Sequence, residues 1–278
     1  MANHVRKIGA KLSERELLQA KLNDFYTTTL EGAKPLFDDE HRQKLSAPLL
    51  ISISDAYLAA PVRIMFVGKE TNGWWGNLGA YYAAEDALSE LMKRYQKQMG
   101  MKKWPGRFFP MLGRTARELA GAQVDAIAWT NLLRTDWEHG KGFSRNSKDF
   151  SAALTKMSQD MLRFEVEILK PNVIIFACGA SYDSVIKATF RNRTNSDPIV
   201  KRVLWQFKVG NILCFRCQHP QAIRRKGSAL KPVEAYYAEI FARVKANFAH
   251  VYDAPMAVNV REKQALPETE ILLYLSAL

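Results

Sequence analysis

Cysteine is scarce: Cys178, Cys214 and Cys217 are the only three in 278 residues. So few thiols exclude a disulfide-stapled secreted scaffold. Cys214 and Cys217 form a C-x-x-C in ILCFRC, but no second pair completes a zinc or iron–sulfur site. That run reads as a strand, where residues three apart face opposite sides. The thiols are therefore expected to be small core or edge residues, with no metal and no cofactor. No apolar run approaches the roughly 20 residues of a membrane span, so no membrane partner is expected. The opening MANHVRKIGAKLSERE has no apolar signal core. A cytoplasmic protein is the expectation. Linkers rich in Pro, Gly or Ser, low-complexity tracts and repeats are missing too. This leaves one domain over 1–278, with a core at about 58–250 between an N-terminal helical extension and a C-terminal tail.

Acidic residues are also in short supply. The chain has 28 Asp and Glu against 40 Lys and Arg, a formal charge of +12. An excess of this size suits a polyanionic partner, most often nucleic acid.

Against these shortages stands 47% hydrophobic content, enough for one large core. PVRIMFVG (61–68), AIAWTNLL (126–133) and NVIIFAC (172–178) are continuous apolar runs that read as buried strands. The segments 203–209 and 211–217 flank Gly210 and read as a hairpin. Helical spacing recurs over 12–30, which Ser13 can cap, and over 83–95 and 108–119. It recurs again from a Ser147 cap through Phe150 and Phe164 to Pro171, then over 181–190, and after Pro232. Buried strands alternating with helices predict an α/β fold: a three-layer αβα sandwich with a mostly parallel central sheet. Ligands of such sheets gather at the carboxyl ends of the strands. Three strand exits carry polar groups: Gly68–Gly73, Thr130–Arg134 and Gln218–Lys226. TDWEHGKG, with Asp136, Glu138 and His139, has the residue types of a metal cluster but reads as a polar surface loop.

In chain order the exits supply a carboxylate, an amide and an imidazole: Glu70 in GKETNG, Asn131 in WTNLLR and His219 in HPQAIRRKG. This order and strand context resembles the uracil-DNA glycosylase superfamily. Its first motif is a strand followed by Gly-x-Asp-Pro-Tyr-His or Gly-x-Asn-Pro, its middle strand carries an Asn, and its late motif is His-Pro-Ser. LKPNVIIFACGAS is similar to the strand-then-glycine segment between them, and the resemblance spans about 61–227. It implies a uracil-DNA glycosylase-like fold and a DNA glycosylase activity on a flipped uracil or other modified or deaminated base. Thr71 stands in place of the motif's proline, Asn72 in place of a tyrosine that excludes thymine, and Gln221 in place of serine.

The resemblance implies roles. Glu70 and His219 would be catalytic. Asn131, with Asn72, Trp74 and Trp75, would recognise the base, Tyr81 being a further stacking candidate. Lys69, Ile223, Arg224, Arg225 and Lys226 would contact DNA, with Ile223 as an apolar wedge. Each residue also has a plain structural reading: a loop carboxylate, a turn amide, a strand-end histidine, packed tryptophans, a solvated basic run. The expected partner is DNA and the expected state a monomer. A non-catalytic nucleic-acid-binding module on the same fold and a small-molecule nucleoside hydrolase are the alternatives.

Overall fold

A computed structural model describes residues 12–253 except 102, 104–105, 122, 140–142, 145–151 and 224–228. In chain order the elements begin with α1 (Glu14–Ala33), α2 (Asp39–Lys44), α3 (Asp55–Ala59), β1 (Ile64–Gly68) and α4 (Leu78–Ala83). Next come α5 (Ala87–Met99), α6 (Phe108–Leu119), β2 (Ile127–Asn131), β3 (Glu138–His139), β4 (Phe143–Ser144) and α7 (Ala152–Leu169). The chain continues with β5 (Val173–Ala177), α8 (Asp183–Thr189), β6 (Arg193–Val200), β7 (Leu204–Val209), β8 (Ile212–Cys217), α9 (Val233–Asn247) and α10 (Ala249–Tyr252).

Six strands form one sheet in the order β2-β1-β5-β8-β7-β6. The pairs β2–β1, β1–β5 and β5–β8 are parallel, and β8–β7 and β7–β6 are antiparallel. The protein is thus α/β with a mostly parallel sheet, as the alternation of apolar runs and helices predicts. Every residue of β1, β2 and β5 is buried, which requires cover on both faces.

Strand alternation assigns the faces. Phe66, Gly68, Trp129, Asn131, Phe215 and Cys217 share one face through the registers Phe66↔Trp129, Gly68↔Asn131, Phe66↔Ile175 and Ile175↔Phe215. α6 and α9 cover it, with Phe66 against Phe108 edge-on at 5.4 Å and against Tyr237 stacked at 6.2 Å. The opposite face carries Thr130, Phe176 and Arg216 beneath α7 and α8. There Arg216 pairs with Asp183 at 2.7 Å, and Phe176 meets Phe190 at 6.0 Å. α1 packs outside α7, with Phe25 stacked on Phe164 at 3.9 Å. These layers are consistent with a three-layer sandwich.

Ser13 starts α1 with a capping box: its hydroxyl accepts the Glu16 N–H at 3.3 Å, and the Glu16 carboxylate accepts the Ser13 N–H at 2.8 Å. The helix expected over 83–95 is two helices. Asn77 caps α4 by accepting the Ala80 N–H at 2.7 Å, and Ala84 then turns extended and ends it. β6 was not anticipated. It is a polar, largely exposed edge strand with register shifts and Pro198, so it lacks the apolar alternation that marks a strand. Ser147 and Phe150, expected at the start of the long helix, lie outside the described residues. The expected hairpin is β7–β8. All three cysteines are buried free thiols, and burial pushes that of Cys217 up to about 12.

Candidate active site

In the sheet order, the chain leaves β1 for β2 on one side and returns past β1 to β5 on the other. A reversal of this kind opens a crevice outside the carboxyl ends of the two central strands. The exits of β1, β2 and β8 meet in a cleft of about 450 Å³ on the α6/α9 side. Lys69, Glu70, Asn72, Trp74, Asn131 and His219 all line it. Trp75 does not. It packs half-buried against the core, with φ 45° between Gly73 (φ 65°) and Gly76 (φ 74°). Tyr81 is buried in α4, away from the cleft. Ile223 is 90% exposed and shares a shallow groove at the rim with Gly106, Arg107 and Gln221. Arg224, Arg225 and Lys226 lie outside the described residues.

Glycine at 68 is a steric requirement. It pairs with Asn131 across the β1–β2 register, and a Cβ here would lie 2.2 Å from Asn131 Oδ1 and 3.1 Å from Phe108. The absence of a side chain leaves room for the Asn131 amide above the end of β1. The two exits stay joined beyond the strands, because Leu132 N–H donates to the Gly68 carbonyl at 3.1 Å and Leu133 N–H to that of Lys69 at 2.9 Å.

Glu70 follows directly. Tyr182, in the turn after β5, hydrogen-bonds to it across the crevice. Burial, and then the negative charge of Glu70, push the Tyr182 phenol well above its ordinary range. The phenol therefore stays protonated and remains a donor to the carboxylate.

The loop after Glu70 is clamped by Asp136, which is buried and not part of a surface loop. Its carboxylate accepts from the Thr71 hydroxyl and, at 3.2 Å, from the Gly73 N–H. Ser46 closes the set, its hydroxyl 2.8 Å from that of Thr71 and accepting the Asp136 N–H at 3.0 Å. Thr71 thus has a structural task in the position where the resemblance expects proline. No metal-ligating group of three side chains occurs among the described residues.

His219 follows β8, and Tyr237 of α9 donates to the neighbouring Gln218 carbonyl at 3.0 Å. Its ring stacks on Phe108 at 5.4 Å. Burial, and then the positive charge of Lys69, lower its pKa to about 4. His219 Nδ1 accepts the Gln221 N–H at 3.2 Å. A neutral ring with Nδ1 accepting carries its proton on Nε2, so His219 offers an uncharged N–H donor at neutral pH.

Several contributors to the cleft carry no signal in the sequence. Phe108 and Phe109 arrive from the first turn of α6, Arg94 and Gln98 from α5, and Trp129 from inside β2. Arg94 lies over the Trp74 ring at 5.3 Å, and Trp129 meets Trp74 edge-on at 5.7 Å. Gly106 holds close to Gln221, whose side-chain nitrogen would sit 2.7 Å from a Cβ at that position. The cleft therefore combines one carboxylate, one amide, one neutral imidazole, aromatic walls and the cations Lys69 and Arg94. Compared with known proteins, the chain matches no family model and no curated protein.

Proposed function

We propose that the protein is a DNA glycosylase-like enzyme that hydrolyses the N-glycosidic bond of a base flipped out of DNA. The supporting observation is that Glu70, Asn131 and His219, from three separate strand exits, line one cleft beside Lys69 and Arg94. The net charge of +12 suits a polyanionic substrate.

In this reading a flipped base enters the cleft between aromatic rings, and the Asn131 amide reads its edge with one donor and one acceptor. The C1′–N bond breaks with its electron pair leaving on the base. Negative charge develops on a base oxygen, where the His219 Nε2–H donates. An uncharged donor held in place before reaction stabilises that charge without needing its own proton transfer. Glu70, oriented by Tyr182, faces the cationic sugar and takes a proton from the water that bonds to C1′. That proton passes to solvent, and the departed base is protonated from solvent. Ile223 at the rim is placed to fill the gap left in the stack.

The test is release of bases from duplex and single-stranded DNA carrying uracil, hypoxanthine, mismatched thymine or modified pyrimidines, read as abasic sites. At least one substrate is expected to yield them. Glu70→Gln should slow release by about 10²–10⁴-fold. Abasic sites with none of them would remove the proposal, and a Glu70→Gln variant at the wild-type rate would remove the role of Glu70. Tight, salt-dependent DNA binding without release would favour a non-catalytic binding module. Turnover of free nucleosides without DNA affinity would favour a nucleoside hydrolase.

A further inference from the structure

Bond cleavage as described uses Glu70, Asn131 and His219. The same cleft continues past them along Trp129, Phe109, Trp74 and Arg94, none of which the chemistry requires. Trp129 precedes Asn131 by two residues on the same sheet face, so the extension starts directly beneath the base-reading amide. A volume of about 450 Å³ falls within the ~300–1,000 Å³ typical of sites for drug-sized ligands. A single unsubstituted pyrimidine ring is a much smaller body.

The walls of this extension are donors. The indole Nε1 groups of Trp74 and Trp129 are buried and have no hydrogen-bond partner among the described residues. Their side chains belong to residues only 8% and 6% exposed. A buried N–H without an acceptor is costly and rare in native structures. Two of them in the wall of one cleft indicate that an acceptor arrives with the ligand. The Arg94 guanidinium, 5.3 Å above the Trp74 ring, adds positive charge at the same place.

We infer that the target base is an enlarged one, carrying a substituent rich in hydrogen-bond acceptors. This rests on the glycosylase reading above. The substituent passes Asn131, lies against the two tryptophans and accepts from their N–H groups and from Arg94. Anionic and polyhydroxylated substituents share this chemistry, and plain uracil does not offer it.

The experiment compares duplexes that differ at one base: uracil, 5-carboxylcytosine or glucosylated 5-hydroxymethylcytosine. Single-turnover release is measured with the wild-type protein, and equilibrium binding with Glu70→Gln. At least one enlarged base should exceed uracil by tenfold or more in kcat/KM, and the preferred arm identifies the substituent as anionic or polyhydroxylated. Trp74→Phe keeps an aromatic ring and removes the donor, so it should narrow that ratio about tenfold. Arg94→Gln provides the same comparison should Trp74→Phe fail to fold. Uracil released as well as both enlarged bases would overturn the inference and leave the glycosylase reading standing. Release from none of the three would count against the glycosylase reading. The binding arm then decides the inference: tighter binding of an enlarged base upholds it, and equal affinity for all three duplexes overturns it.

Discussion

At the scale of single residues, the informative group is His219. Its pKa of about 4 lies below the ordinary 6.5 because burial, and then Lys69, disfavour the imidazolium. The folded protein therefore binds fewer protons at this site than the unfolded chain between those two values. Stability contributed by His219 is fully present above pH 6.5 and is lost as pH falls toward 4. Urea unfolding of wild type and His219→Gln should show a constant stability difference above pH 6.5. Below it the wild type should lose ground steadily. Parallel pH dependence of the two proteins would contradict the depressed value. A second residue-scale outcome concerns Gly68. A methyl group there meets Asn131 Oδ1 at 2.2 Å and the Phe108 ring, so Gly68→Ala must move the amide. Overpacking of this kind costs about 1–3 kcal/mol of stability. Displacing a substrate-positioning group by about 1 Å can cost 10²-fold in rate. Base-release assays should therefore fall further than thermal stability explains, and a Gly68→Ala protein with wild-type release would refute the steric argument.

At the scale of elements, the loop between β1 and α4 depends on Asp136, which comes from the segment after β2. One carboxylate accepts from both Thr71 and Gly73, and hydrogen bonds to a charged acceptor contribute about 1.5–3 kcal/mol each. Asp136→Ala leaves both donors buried without it. It is expected to destabilise the protein by about 2–4 kcal/mol in chemical denaturation. Amide exchange at Gly73 should quicken more than that of the β1 core, and unchanged protection there would show that the loop holds without the clamp.

The clamp also marks how much was legible beforehand. β1, β2, β5 and β8 are visible in the sequence because continuous apolar runs bounded by Gly or Pro have few other uses. Their polar exits follow from the strand ends. Asp136 was misplaced on the surface because its neighbours Glu138 and His139 are polar, and only the fold brings Ser46 and Thr71 around it. Arg94, Phe108 and Trp129 were missed for a related reason. On a helix face or inside a strand they look like ordinary solvent or core positions, and packing alone turns them toward the cleft. β6 gave no pattern because an edge strand exposed to water has no buried face to encode.

At the scale of the whole molecule, the two sheet faces divide the work. The α6/α9 face carries the cleft, and the opposite face anchors the exit of β2. There Arg134 and Glu165, both fully buried, form a two-point ion pair at 2.7 and 2.6 Å. Tyr26 of α1 donates to Glu165 at 2.6 Å, and Arg134 also donates to Thr130, the residue before Asn131. The Tyr26 hydroxyl in turn accepts the Ile51 N–H at 3.3 Å, which brings in the segment before α3. One network thus joins α1, α7 and β2 directly behind the amide that lines the cleft. Removing one partner strands a buried charge. Glu165→Leu, which leaves Arg134 unpaired, should cost about 3–5 kcal/mol in urea unfolding. Replacing both partners removes the charges together. The double variant Arg134→Met/Glu165→Leu should therefore recover much of that loss, despite the hydrogen bonds forgone by Tyr26 and Thr130. A double variant no more stable than Glu165→Leu alone would mean that the hydrogen bonds of the network, and not charge burial, set the penalty.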